Sequence, residues 1–138
     1  MTQDFWTPRS PAEEVVLSVY DAVRRGDEAA VHALLDPGVE IHEAPSMPYG
    51  GVFRGHQGWT EVVAALFATW QDYEVSFDLI TSSGEHVVAL LRLRGRIGTS
   101  ADPVEMPLAE VWRVRDGRVT ELRPYYWDTA ELARLAAS

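Results

Sequence analysis

A chain of 138 residues that is 46% apolar holds enough for one compact domain, residues 1–138, and little for a second; without cysteine it has no disulfide, thiolate nucleophile or thiolate metal site. The formal net charge of −9 argues against a nucleic-acid partner, because phosphate binding needs a basic surface, and points to a neutral, apolar or cationic one. The opening MTQDFWTPRS lacks the basic start and apolar run of a signal peptide, and no segment is long enough to span a membrane, so a cytoplasmic protein with no membrane partner is expected.

Residues 1–9 read as a flexible arm, with Phe5 and Trp6 free to dock on a neighbouring surface. Ser10-Pro11-Ala12-Glu13 marks a helix start: a capping hydroxyl, proline at the first helical position and glutamate three residues after the cap. Val15, Val16, Val19, Tyr20 and Val23 follow at helical spacing, and Gly26 ends the helix. Asp27 caps a second helix through Leu35, which Pro37 keeps from extending.

Val39–Gly55 then opens as a short strand, with Val39, Ile41 and Glu43 on one face and Glu40 and His42 on the other. The inward face is apolar until it meets the Glu43 carboxylate, which is costly to bury unless paired or used. A turn-rich loop with two prolines and Gly50-Gly51 follows, carrying Met47, Tyr49 and Phe53 as exposed side chains.

Trp59, Val62, Val63, Leu66, Phe67 and Trp70 form the stripe of a third, amphipathic helix. Tyr73, Val75, Phe77 and Leu79 alternate with polar residues in a half-buried strand ending at Ser82-Ser83-Gly84. In the next strand, His86–Ile97, Val87, Ala89, Leu91 and Leu93 face inward and Arg92, Arg94 and Arg96 outward, solvated or paired with acids on neighbouring strands. After a loop, Val104, Met106, Leu108, Glu110, Trp112 and Val114 share a face, again apolar but for one acid. Arg115-Asp116-Gly117-Arg118 is a tight hairpin, and Val119–Trp127 a last strand with Leu122, Pro124 and Tyr126 on one side unless Pro124 marks a bulge. Asp128–Ala137 closes the chain as a short helix.

Helices followed by a run of strands imply an α+β fold, a curved sheet wrapped as a cone around the N-terminal helices. Trp59, Phe67, Trp70, Phe77, Met106, Trp112 and Tyr126 would line its interior, with Tyr49 and Phe53 at the loop, making a site for a flat apolar ligand.

In this order the chain resembles the nuclear transport factor 2-like superfamily, and within it the SnoaL-like polyketide cyclases and ketosteroid isomerases. The resemblance spans roughly Pro11 to Thr129. It rests on the helix break at Gly26-Asp27, on Ile41-His42-Glu43-Ala44-Pro45 through Tyr49-Gly50-Gly51 to Arg54-Gly55, and on Glu110 through Val119 followed by Arg123-Pro124-Tyr125-Tyr126. It implies a SnoaL-like α+β barrel with an antiparallel or mixed sheet. It places Glu43 where ketosteroid isomerases keep the proton-moving carboxylate, and Glu110 where they keep a protonated, hydrogen-bonding acid. The first-helix tyrosine of those enzymes falls here at Val19, with Tyr20 one position away and turned by part of a helical turn and Tyr126, Tyr49 or Tyr125 as substitutes; Tyr20 or Tyr126 is expected as an additional donor.

Two inward acids suit proton transfer, one ionised to accept a proton α to a carbonyl and one neutral to stabilise the oxyanion. The structural alternative pairs Glu43 with Arg54 or Arg123 and Glu110 with loop backbone. His42 is expected on the outer face unless a bulge turns it inward. His32, His56 and His86 are scattered over a helix, a loop and a turn, so neither metal nor cofactor is expected. The functional expectation is a cofactor-free isomerase, cyclase or dehydratase acting on an apolar cyclic or polyketide-like ketone. The alternatives are a non-catalytic binding protein for an apolar small molecule and an epoxide hydrolase with carboxylate-activated water. Apolar positions such as Val88 and Leu90 on the outer face imply a homodimer.

Overall fold

The computed structural model describes residues 7–138; Phe5 and Trp6 and most of the expected arm lie outside them. The helix signals operate as the residues dictate. The Ser10 hydroxyl accepts from the Glu13 N–H at 3.1 Å to start α1 (Pro11–Arg24), and Asp27 accepts from the Ala30 N–H at 3.1 Å to start α2 (Glu28–Leu34). Arg9 is tied down, its guanidinium donating to the Ile80 carbonyl at 2.6 Å. Gly26, at φ 70°, makes the left-handed turn between the helices.

The remaining elements are β1 (Leu35–Glu43), β2 (Gly51–Arg54), α3 (Gly55–Thr69), β3 (Trp70–Ser83), β4 (His86–Ile97), β5 (Val104–Arg115), β6 (Arg118–Tyr126) and α4 (Thr129–Ala136). The strands form one mixed sheet in the order β2-β1-β6-β5-β4-β3, parallel only between β1 and β6. Helices α1 and α3 pack on its inner face, giving an open α+β cone with Val16, Val19, Ile41, Val87, Ala89 and Trp112 in its core. The β5–β6 turn has Asp116 at φ 52° and Gly117 at φ 77°, the positive values a two-residue hairpin needs.

Several expectations shift. Helix α2 stops at Leu34, and the chain passes directly into β1. Trp70 opens β3 instead of closing α3, and β3 slips register twice, between Gln71 and Glu74 and between Phe77 and Leu79. Each slip exchanges the faces, so Leu79 pairs with outward Leu90 while Ile80 takes the buried position beside Ala89. The irregularity of β6 falls around Thr120, leaving Pro124 in register opposite Glu110. The loop after β1 is not exposed: it folds back so tightly that a Cβ on Gly50 would sit 2.5 Å from the Ala44 carbonyl oxygen, and Met47 and Tyr49 are buried.

Candidate active site

The sheet itself brings the two acids together. Glu43 ends β1, where Ile41 pairs with Leu122 of β6; Glu110 lies on β5 opposite Pro124 of the same strand. The acids therefore rise from the two strands flanking β6, about 10 Å apart at the backbone from ordinary strand spacing, and on the same inner face.

Glu110 is the end of a chain of donors. The Trp112 indole N–H donates to the Tyr20 oxygen at 2.9 Å, and the Tyr20 hydroxyl donates to Glu110 Oε1 at 2.6 Å. Tyr20 is held edge-on between Phe77 and Trp112, with ring centroids 4.7 and 5.3 Å away. It thus reaches the site from the first helix despite its offset from Val19, because its long side chain spans the distance while Val19 packs fully buried beneath. Burial pushes the Glu110 carboxyl up to about 7 against the pull of the Tyr20 hydrogen bond, and burial with the neighbouring Glu110 raises Tyr20 well above its ordinary value.

Glu43 is different. It is 6% exposed, and its Oε1 has no hydrogen-bond partner among the described residues. Burial first, and then the charge of Glu110, push its carboxyl up to about 8. Neither expected arginine neutralises it: Arg54 pairs with Glu40 at 3.2 Å, and Arg123 pairs with Glu121.

A second chain of donors lies on the other side. The Trp70 indole N–H donates to the Tyr49 oxygen at 3.1 Å, and the Tyr49 and Tyr126 hydroxyls share a hydrogen bond of 2.9 Å. Burial pushes Tyr49 up to about 12, and burial and Tyr49 raise Tyr126 well above its ordinary value. Tyr20, Glu110 and Tyr126 lie deep in the fold and are half-buried, each keeping part of its surface accessible.

The SnoaL-like domain matches residues 16–122. The chain belongs to the SnoaL-like domain family. Among solved structures it is similar to an NTF2-like protein of unknown function from Burkholderia pseudomallei, with 27% identity over 94% of this chain and 99% of that one and a TM-score of 0.82. TerC, co-crystallised with polyporic acid, is 23% identical over 94% of this chain and 100% of its own, with a TM-score of 0.81. A protein from Catenulispora acidiphila with a ketosteroid isomerase-like fold, in complex with trimethylamine, is 20% identical over 82% and 85% of the two chains, with a TM-score of 0.69. No curated protein sequence matches.

The SnoaL-like interior takes in most of the expected lining. Trp59 and Trp112 lie with ring centroids 6.3 Å apart; Trp70 and Met106 are buried, and Phe53 is half-buried against the core. Phe67 is a correction: it is 54% exposed, leans on Tyr73 at 5.7 Å and lines an outer groove of about 300 Å³ between the helical hairpin and α3. It sits on the solvent side of the α3 stripe, a distinction that helical spacing alone does not make. His42 keeps its expected outer position, for no bulge intervenes and its ring meets Glu40 at 3.0 Å, so the inward role a bulge would have given it is not realised. His42, Glu40 and Glu121 hold ligand atoms within 4.8 Å of one another, the set best placed for a cation among the described residues, but Arg54 and Arg123 already engage the two carboxylates. His32 and His56 stack at 4.8 Å, a pairing between α2 and α3 that their sequence positions did not suggest. The Trp70–Tyr49 contact was also missed; the only signal was an aromatic residue set just before a Gly-Gly pair.

Proposed function

We propose that this SnoaL-like domain is a cofactor-free acid/base enzyme, of isomerase, cyclase or dehydratase type, acting on an apolar cyclic or polyketide-like ketone. One observation carries the reading: two inward acids share a buried face without any ion pair among the described residues, one held by a tyrosine and one unpartnered. Isolated buried carboxyls are costly, and their raised pKa values put proton exchange within reach of neutral pH. The aromatic lining suits a flat ligand, and the small molecules named with TerC and the Catenulispora protein are in keeping with a ligand-holding interior. Tyr20 supplies a first-helix hydrogen-bond donor to Glu110, which supports the enzyme over the non-catalytic binding protein.

Chemically, one acid takes the proton α to the ligand carbonyl while donors stabilise the oxygen that gains charge; returning the proton elsewhere, closing a ring on the enol, or losing a β-hydroxyl then yields the three reaction types. The test is deuterium incorporation into 2-tetralone and related cyclic ketones in D2O, followed by NMR. Exchange faster than with the Glu43→Gln/Glu110→Gln double variant is expected. Equal rates across such ketones would sink the enzyme reading, and tight binding without exchange would leave a binding protein.

A further inference from the structure

We propose that the two acids act in the opposite sense to that implied by the family resemblance: Glu110 is the base that takes the carbon-bound proton, and Glu43 is the neutral acid that gives its proton to the ligand's carbonyl oxygen. The inference rests on the acid/base reading above and assigns its roles.

Hydrogen-bond direction carries it. An indole N–H only donates, so the Tyr20 oxygen is the acceptor for Trp112 and the Tyr20 proton is left for Glu110. Two donors in series thus converge on Glu110, an arrangement that favours and orients its ionised form. No donor among the described residues is aimed at Glu43 Oε1. Ionised, Glu43 would be a bare charge in an apolar wall beside another carboxylate; protonated, it presents an O–H to the interior that only a ligand can accept.

The tyrosine pair adds to the same polarity. Tyr49 and Tyr126 carry two hydroxyl protons, and their mutual hydrogen bond uses one. Trp70 brings a further donor, not an acceptor, so the second proton has no protein acceptor among the described residues. Both tyrosines feel the charges of Glu43 and Glu110, which set them in the same charged neighbourhood as the acids. Among the described residues the titratable groups facing the pair are thus Tyr20, Tyr49 and Tyr126, with no cation among them. Among the described residues these side chains offer one carboxylate acceptor, Glu110, and two donors, the Glu43 carboxyl and a tyrosyl hydroxyl. That pattern fits an uncharged carbonyl compound with an acidic C–H.

The step balances within the site. The C–H bond breaks and its proton goes to Glu110; the released pair forms the carbon–carbon double bond, the carbonyl π pair moves onto oxygen, and that oxygen takes the Glu43 proton. The product is a neutral enol with Glu110 protonated and Glu43 ionised, so the pair carries one negative charge before and after. Reversal at a second carbon, with Glu43 reclaiming the enol proton, completes an isomerisation without a proton from solvent.

The order of ionisation tests this in the whole, ligand-free protein, by carboxyl-carbon NMR of glutamate-labelled chain with both signals assigned through bonds in the wild type. Glu110 is expected to ionise first and Glu43 at higher pH. Glu110→Gln should bring the Glu43 midpoint down, and Tyr20→Phe should move the Glu110 midpoint up. Glu43 ionised while Glu110 is still protonated would overturn the assignment. With 2-tetralone, Glu110→Gln should slow exchange a hundredfold or more, and Glu43→Gln, whose amide still donates, about tenfold; the reverse ranking would also overturn it. Absence of exchange in the wild type would count against the enzyme reading, while the titration order would still decide the assignment.

Discussion

Glu43 ties the chemistry of one residue to the stability of the fold. Its carboxyl ionises at about 8 in the folded chain against an ordinary value of 4.5. Because the folded value is raised, the stability tied to its protonated state is fully present below about pH 4.5 and is lost as pH climbs to about 8, at roughly 1.4 kcal/mol per pH unit. Glu110, raised to about 7, acts in the same direction, and the two overlap because each ionisation hinders the other. Urea unfolding of the wild type between pH 5 and 8 should therefore show declining stability, and Glu43→Gln should flatten that decline. An unchanged slope would mean that Glu43 ionises normally. Both acids were legible in the sequence because each is a single carboxylate breaking an otherwise apolar alternation. Tyr20 was legible as a candidate donor but not as the partner of Glu110, 90 positions away, and the Trp70–Tyr49 contact across 21 was not legible at all, because in each case side-chain length decides the contact.

At the scale of elements, the signals that were legible are those confined to a few neighbouring residues, such as the Ser10 and Asp27 caps and the Asp116-Gly117 turn. The slips of β3 were not, because a bulge is set by what the partner strand offers; Asp72, at φ 51°, marks the first of them. Packing of α3 on β2 depends on a contact of the same non-local kind. A Cβ on Gly58 would lie 2.7 Å from the Phe53 carbonyl carbon, a backbone atom that cannot swing aside. Gly58→Ala should cost about 1–3 kcal/mol by overpacking, read as a lower urea midpoint. Phe53→Ala in addition should not restore it, since the nearest atom is main chain; rescue would show that the side chain sets the spacing.

The whole molecule adds an outer face that the site does not use. The registers align Leu79 with Leu90, Leu90 with Ala109 and Ala109 with Tyr125, an apolar row running straight across β3, β4, β5 and β6. Val88 and Val111 pair in the next row, and Leu79, Leu90 and Tyr125 are 42%, 39% and 56% exposed. Beside the row, Arg92 bridges Asp78 and Glu105 and Arg94 also meets Glu105 at 3.9 Å, so two cations balance two carboxylates there. This row is the surface on which the homodimer expected from the sequence would close, since a two-fold contact needs a surface complementary to itself. Sedimentation should give twice the 15.4 kDa of one chain. Leu90→Arg should return the monomer while leaving the order of the Glu110 and Glu43 ionisations as it was, because Leu90 points away from the interior that holds them. A wild type that sediments as a monomer at tens of micromolar would remove the dimer. A variant that stayed dimeric would move the interface off this row.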